Sequence, residues 1–311
     1  MITRDDIQRA ASRISPYVRV TPILQVEPQD GSVPGNTFLK LESLQVTGSF
    51  KPRGAFNRLL GEPLPAAGVI AASGGNHGIA VAYAARKLGT KAEIYVPSLT
   101  TPLKRAMLDS MGATTVVAGS TYVEALAASE ARAAETGAMQ VPAFEHLLTI
   151  AGQGTIGLEL EQQIEKIDTV MVAVGGGGFA AGIASYLDPR IKIVSVEPRS
   201  CPTLERALSA GHPVDVETGG LAADSLGCRR VGDIAFPILQ ERVSESVLVS
   251  DEQIRDAQAF LWAEYRIVAE PGGAVAFAAV TSGAYKRKPG ESIVIIICGG
   301  NADPCAIGSG K

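Results

Sequence analysis

The chain has 311 residues, 46% of them hydrophobic and 19% charged, which excludes a mainly disordered chain and, at roughly 150 residues per domain, suggests about two domains. Lys and Arg number 28 against 32 Asp and Glu, a formal net charge of −4, so the basic footprint of a general nucleic-acid binder is missing. Four cysteines (Cys201, Cys228, Cys298, Cys305) with no CxxC pair exclude a disulfide scaffold and point to a reducing cytosol.

The N-terminal MITRDDIQRAASRI is charged and helical in pattern, unlike a signal peptide. Thr3 with Asp6 resembles a capping box opening a helix to Ile14. TFLKLE (37–42) reads as a strand, followed by a helix beginning near Lys51. Strands are expected at 68–72, 91–97 and 114–117, with helices after them at about 76–88, 101–111 and 121–135. AGQGT (151–155) reads as a turn, after which a helix leads into the strand DTVMVAV (168–174). Further strands are expected at 191–197, 246–250 and 292–298. The last of these, SIVIIIC, is far too short to span a bilayer and reads as a buried strand. A cytoplasmic protein that contacts neither membrane nor nucleic acid is therefore expected. Alternating helices and nearly continuous apolar strands imply an α/β fold: two doubly wound, open parallel sheets divided near residue 146, with a cleft between them. Ligands in such folds bind beyond the carboxyl ends of strands, which directs attention to the strand-to-helix turns.

Many of the 34 glycines fall in those turns. An apolar strand runs into Gly175, Gly176, Gly177 and Gly178 and then into a helix, an arrangement suited to an anion such as phosphate. The same segment also matches the dinucleotide fingerprint (Gly175-x-Gly177-x-x-Ala180), and Glu197 ends a strand about 20 residues on, so a nicotinamide-binding protein is an alternative reading. A second turn, ASGGNHG (72–78), joins Ser73, Asn76 and His77 to three glycines and suits a carboxylate; His77 alone would read as a structural histidine. In GSFKPRG (48–54), Lys51 opens a helix, where the dipole disfavours its charge. A desolvated lysine there becomes a nucleophile for aldehydes, and Phe50 could press against a flat ring. Cys298 stands at the end of the last strand before two glycines. Glu270 reads as opening a helix.

Together these turns resemble, in order and over nearly the whole chain, the fold-type II pyridoxal-phosphate enzymes (tryptophan synthase β-like), and within them the serine/threonine dehydratase group, related to serine racemase. The resemblance implies a dehydratase converting a β-hydroxy amino acid (L-threonine, L-serine or 3-hydroxyaspartate) to a 2-oxo acid and ammonia. It implies that Lys51 carries the Schiff base with pyridoxal 5′-phosphate and takes the α-proton, and that Phe50 lies against the ring. Asn76 would bond the phenolic oxygen, Gly175 to Gly178 with the Phe179 amide would hold the phosphate, and Cys298 would stand at the ring nitrogen. Ser73, Gly75, Asn76 and His77 would receive the substrate carboxylate. Residues 1–66 with 147–311 would form a large cofactor-binding domain, 67–146 a small carboxylate-binding one, and the chain a homodimer. Arg53, Tyr122, Phe144 and the loop from Leu221 to Ser225 are candidates for side-chain recognition. Where serine racemases carry a second serine this chain has Gly74, which argues against racemisation. Where the family places a cation, Glu197 is present but the second acidic position is Thr203, so no metal is expected. No regulatory domain is expected after Lys311. Another β-elimination or β-replacement on the same scaffold, or an amino-acid racemase, is the nearest alternative.

Overall fold

A computed structural model describes residues 2–26, 36–100 and 102–307. In chain order the elements begin with α1 (Arg4–Ile14), β1 (Ile23–Val26), β2 (Thr37–Leu41), α2 (Lys51–Leu60), β3 (Val69–Ala72) and α3 (Asn76–Lys87). Then come β4 (Ala92–Val96), α4 (Pro102–Ser110), β5 (Thr114–Val117), α5 (Tyr122–Thr136), β6 (Met139–Gln140) and α6 (Leu147–Gln163). The chain continues with β7 (Thr169–Ala173), α7 (Gly178–Tyr186), β8 (Lys192–Pro198), α8 (Thr203–Ala210), α9 (Ala223–Leu226) and α10 (Ala235–Arg242). It closes with β9 (Val243–Val249), α11 (Asp251–Tyr265), α12 (Pro271–Thr281) and β10 (Ile293–Ile297).

These elements build two sheets. The larger runs β1-β2-β10-β7-β8-β9 and the smaller β5-β4-β3-β6. Every pairing is parallel except that of β1 with β2. The expectation of parallel sheets is corrected only at that edge, where β1 pairs antiparallel with β2, the strand that follows it in the chain. Strands β7 and β10 are buried along their whole length, as sheets covered on both faces require. In β3 the side chains alternate between two cores: Val69 and Ala71 on one face, Ile70 and Ala72 on the other. Ile14, Ala55, Phe56 and Leu59 join the first of these cores, so α1 and α2 pack on the smaller sheet as well. The expected capping box of α1 is present: Asp6 N–H donates to Thr3 Oγ1, and Thr3 N–H to Asp6 Oδ2.

AGQGT is not a turn; it lies inside α6. Its glycines serve close backbone approach. A Cβ on Gly152 would sit 2.5 Å from the Arg53 carbonyl oxygen in α2, and one on Gly154 would sit 2.7 Å from the Gly182 carbonyl oxygen in α7. Three helices thus touch backbone to backbone.

In the smaller sheet β3 lies between β4 and β6, and in the larger β7 lies between β8 and β10. These are the points where strand order reverses, the places where open α/β sheets bind ligands. The 73–75 turn follows β3, the glycine run follows β7 and Cys298 follows β10.

Candidate functional site

Lys51 is the first residue of α2 and is followed by Pro52, with no side chain capping the helix. Its Nζ donates to the Ala143 carbonyl oxygen at 3.1 Å and lies 5.0 Å from the centre of the Phe50 ring. Burial pushes the amine pKa below the ordinary lysine range, against the pull of Cys228, Cys298 and Glu270. The segment is pinned because Phe50 N–H donates to the Cys298 carbonyl oxygen at 3.1 Å, and Ser49 bridges Gly299. The Phe50 ring stacks on Phe179, centres 3.9 Å apart and 22° from parallel.

The glycine run ends at the N-terminus of α7. Gly177 caps it with φ +87, a conformation open to glycine and costly for other residues, and no side chain caps the helix. A Cβ on Gly176 would meet the Phe144 ring at 2.5 Å, and one on Gly178 the Phe144 carbonyl oxygen at 2.6 Å. Since Ala143 accepts from Lys51, residues 143–144 link the lysine to the glycine run. Phe144, expected to touch substrate, here packs on that run.

Helix α3 also begins uncapped, on Gly75. Ser73 Oγ accepts from Gly75 N–H at 3.2 Å. A Cβ on Gly74 would lie 2.9 Å from the Thr100 side chain. Asn76 Nδ2 donates to Glu270 Oε1 at 2.6 Å, and Asn76 Oδ1 accepts from Asn301 Nδ2 at 2.7 Å. His77 is buried, with Nε2 2.7 Å from the Val141 carbonyl oxygen. Burial, with Lys51 nearby, pushes its pKa down to about 3, so the ring is neutral and acts as the donor. The His77 side chain is thus committed to backbone, and the uncapped first turn of α3 presents main-chain amides of the kind that suit an anion. At the third strand end, the Cys298 thiol donates to the Gly272 carbonyl oxygen at 3.4 Å; burial, then Glu270, pushes its pKa up, keeping it neutral.

The remaining expectations divide: Tyr122, whose pKa is raised by burial and then by Cys228, and Asp224, whose carbonyl oxygen would lie 3.9 Å from a Cβ on Gly75, stay beside the site, while Arg53 and Glu197 turn elsewhere. Arg53 does not face a pocket; it is fully buried between Glu42 and Glu159. Tyr122 starts α5, about half exposed (48%). In the 221–225 loop, Asp224 pairs with Lys104 at 2.5 Å, joining α9 to α4, and Ser225 packs against Gly272. Glu197 turns onto the start of α8. Its two carboxylate oxygens accept from the Leu204 and Glu205 amides at 2.7 and 2.8 Å, while Thr203 Oγ1 donates to the Cys228 carbonyl oxygen. Burial pushes Glu197 up to about 7. This removes the acidic partner on which the dinucleotide alternative relied. Among the described residues no group of three or more His, Cys, Asp or Glu could hold a metal ion, and no helix is long and apolar enough to cross a membrane.

Glu270 opens α12 as expected, as its N-cap residue, and its carboxylate also meets Asn76, which the sequence reading did not foresee. It makes no capping hydrogen bond. Glutamate is a poor N-cap, and that mismatch was the available signal. Cys228, whose pKa is raised by burial and pulled back by Lys51 and the Gly176 amide, gave no such signal.

The family described as pyridoxal-phosphate dependent enzyme matches residues 14–299. The L-threonine ammonia-lyase of Thermotoga maritima is 36% identical over 97% of this chain and 76% of its own. The biosynthetic L-threonine dehydratase IlvA of Escherichia coli is 38% identical over 95% of this chain, which spans only 59% of that enzyme. Among solved structures, maize serine racemase superposes with a TM-score of 0.92 at 31% identity, covering 98% of this chain and 95% of that one.

Proposed function

Since the chain belongs to the pyridoxal-phosphate dependent enzyme family, we propose that it is a dehydratase that removes water from a β-hydroxy amino acid (L-threonine, L-serine or 3-hydroxyaspartate) and releases a 2-oxo acid and ammonia. The observation carrying this reading is a half-buried lysine, its amine desolvated, set beside two helix N-termini that begin on glycine and carry no side-chain cap. Those residues fit the cofactor: the uncapped N-terminus of α7 leaves amides for a phosphate, and glycine at 176 and 178 lets that run lie against Phe144 where a Cβ would meet it at 2.5 to 2.6 Å.

Lys51 would hold the cofactor aldehyde, the α7 N-terminus with Gly175 to Gly178 and the Phe179 amide its phosphate, Asn76 its phenolic oxygen and Cys298 its ring nitrogen. Phe50, its ring stacked on Phe179, would back the cofactor. Ser73, Gly75, Asn76 and the His77 amide would receive the substrate carboxylate. When bound, pyridoxal phosphate supplies the electron sink that acidifies the substrate α-hydrogen. Lys51 Nζ, biased by burial toward the neutral amine, accepts that proton. The neutral Cys298 thiol brings no carboxylate to the ring nitrogen, which favours rapid elimination over a long-lived carbanion. Gly74 offers no side chain to move a proton on the opposite face, so elimination is favoured over racemisation despite the likeness to a racemase.

We take residues 67–146 as the smaller unit, 1–66 with 147–311 as the larger, the assembly as a homodimer and the compartment as the cytoplasm. The test is ammonia release from L-threonine, L-serine and the hydroxyaspartates with pyridoxal phosphate added, for the parent and Lys51→Ala. Loss of both turnover and yellow colour in Lys51→Ala is expected; a coloured, active Lys51→Ala protein would refute the assignment.

A further inference from the structure

Two residues beyond Lys51, Arg53 sits at the centre of a cluster of four fully or almost fully buried charges. Its guanidinium donates twice to Glu42 (Nε to Oε2 at 2.8 Å, Nη2 to Oε1 at 2.7 Å). It donates twice more to Glu159 (Nη1 to Oε1 at 2.6 Å, Nη2 to Oε2 at 3.0 Å). Nη1 reaches Thr155 Oγ1 at 3.1 Å as well. Lys40 Nζ donates to Glu159 Oε2 at 2.5 Å, Gln163 Oε1 at 2.8 Å and the Thr21 carbonyl oxygen at 2.8 Å. Side-chain exposure is 0% for Lys40, Arg53 and Glu42 and 8% for Glu159. Two cations face two anions, so the cluster is neutral overall.

Such clusters are poor stabilisers, because desolvating the charges offsets most of their attraction and apolar replacements often do as well. What a doubly forked arginine does supply is geometry, since its planar donors match two carboxylates in one orientation only. Here the two carboxylates come from different elements: Glu42 from the turn after β2, Glu159 from α6. On the other side of Lys51, the Phe50 amide is tied to the end of β10. The lysine therefore lies between two anchors, on a helix start with no cap of its own.

We infer that Arg53 is a positioning residue for Lys51: with Glu42, Glu159 and Lys40 it fixes the first turn of α2 so that the lysine amine points at the site. The inference rests on the assignment of Lys51 as the cofactor-holding residue. A misplacement of about 1 Å at a reacting group costs on the order of 100-fold in rate, so modest rotation of this turn is enough to matter.

Two variants test it. Arg53→Lys keeps the charge but cannot make four forked bonds, and the set Lys40→Met, Glu42→Gln, Arg53→Met, Glu159→Gln removes all four charges together, so that no buried charge is left unpaired. Each cofactor-free protein is mixed with pyridoxal phosphate and the absorbance change is followed; kcat and KM are then measured at saturating cofactor, and thermal unfolding is recorded. Expected in both variants are a cooperative unfolding transition, cofactor capture slowed at least about tenfold, and kcat lowered by 10- to 100-fold with KM within about twofold. Variants that unfold cooperatively, capture cofactor at the parental rate and keep parental kcat overturn the positioning role and leave the proposed activity standing. Loss of the cooperative transition in both variants makes the cluster a stability element and overturns it too. A parent protein that captures no cofactor overturns the activity and this inference together.

Discussion

Replacing Glu270 with glutamine should make the cofactor-free protein more stable in alkaline solution and leave it nearly unchanged in acid. Burial pushes the Glu270 carboxyl up to about 7 from the usual 4.5; Asn76 pulls it back, Asp224 adds to the rise, and Lys104 and Lys51 oppose it. Between those two values the folded chain holds a proton that the unfolded chain has released, so stability falls as pH rises through the window and stays lost above it. At about 1.4 kcal/mol per pH unit, the rise from 4.5 to about 7 amounts to on the order of 3 kcal/mol. Glutamine carries no charge at any pH, and its amide oxygen still accepts from Asn76 Nδ2. Glu197, also pushed up to about 7 by burial, loses stability over the same window, but in both proteins, so it cancels in their difference. Urea unfolding of parent and Glu270→Gln at about pH 4, below the window, and about pH 8.5, above it, measures that difference. It should be near zero at the lower pH and favour the variant by up to about 3 kcal/mol at the higher. A difference equal at both pH values, or one favouring the parent in alkali, would show that Glu270 is not held protonated near neutrality.

Gly176→Ala should weaken cofactor binding on the order of tenfold, because the new Cβ would meet the Phe144 ring at 2.5 Å; equilibrium titration with pyridoxal phosphate reads this directly. Gly152→Ala, with its Cβ 2.5 Å from the Arg53 carbonyl oxygen, should cost about 1–3 kcal/mol of stability as the α2–α6 contact is forced apart, seen as an earlier urea midpoint. Gly74→Ser alone should leave elimination dominant, since its Cβ falls 2.9 Å from the Thr100 side chain. Chiral chromatography of D- and L-serine after incubation checks this, and racemisation matching elimination in the parent would contradict the proposed reaction.

Strongly patterned segments were readable from residues alone. The apolar runs of β7, β8 and β10, the Thr3–Asp6 cap and the glycine turns after β3 and β7 each carry a local signal, and each formed where expected. Short elements without such a signal were missed: β1 has four residues and β6 two, and their pairing is decided by neighbours distant in sequence. AGQGT was misread because glycine marks both turns and close helix contacts, and only the facing backbones of α2 and α7 tell them apart. Arg53 and Glu270 changed places for a related reason. A charge near a site motif says nothing about which way it turns: Arg53 met two carboxylates behind the helix, and Glu270 met Asn76 at its mouth.

Where α2, α6 and α7 touch, Gly152 and Gly182 face main chain directly, and Gly154 faces the Gly182 carbonyl with the Ile7 side chain beside it. Rotamers are the compliant part of a protein interior, able to absorb small displacements that main chain passes on unchanged. With that cushion removed, Lys51 at the head of α2 and the glycine run at the head of α7 are mechanically one piece, and strain at either is felt at the other. The Ser73–His77 turn meets that piece through the hydrogen bonds of Asn76 to Glu270 and Asn301, a softer joint. On the proposed assignment, adjustment to differently sized substrates is therefore expected at the Ser73–His77 turn, while Lys51 and the glycine run keep a constant spacing.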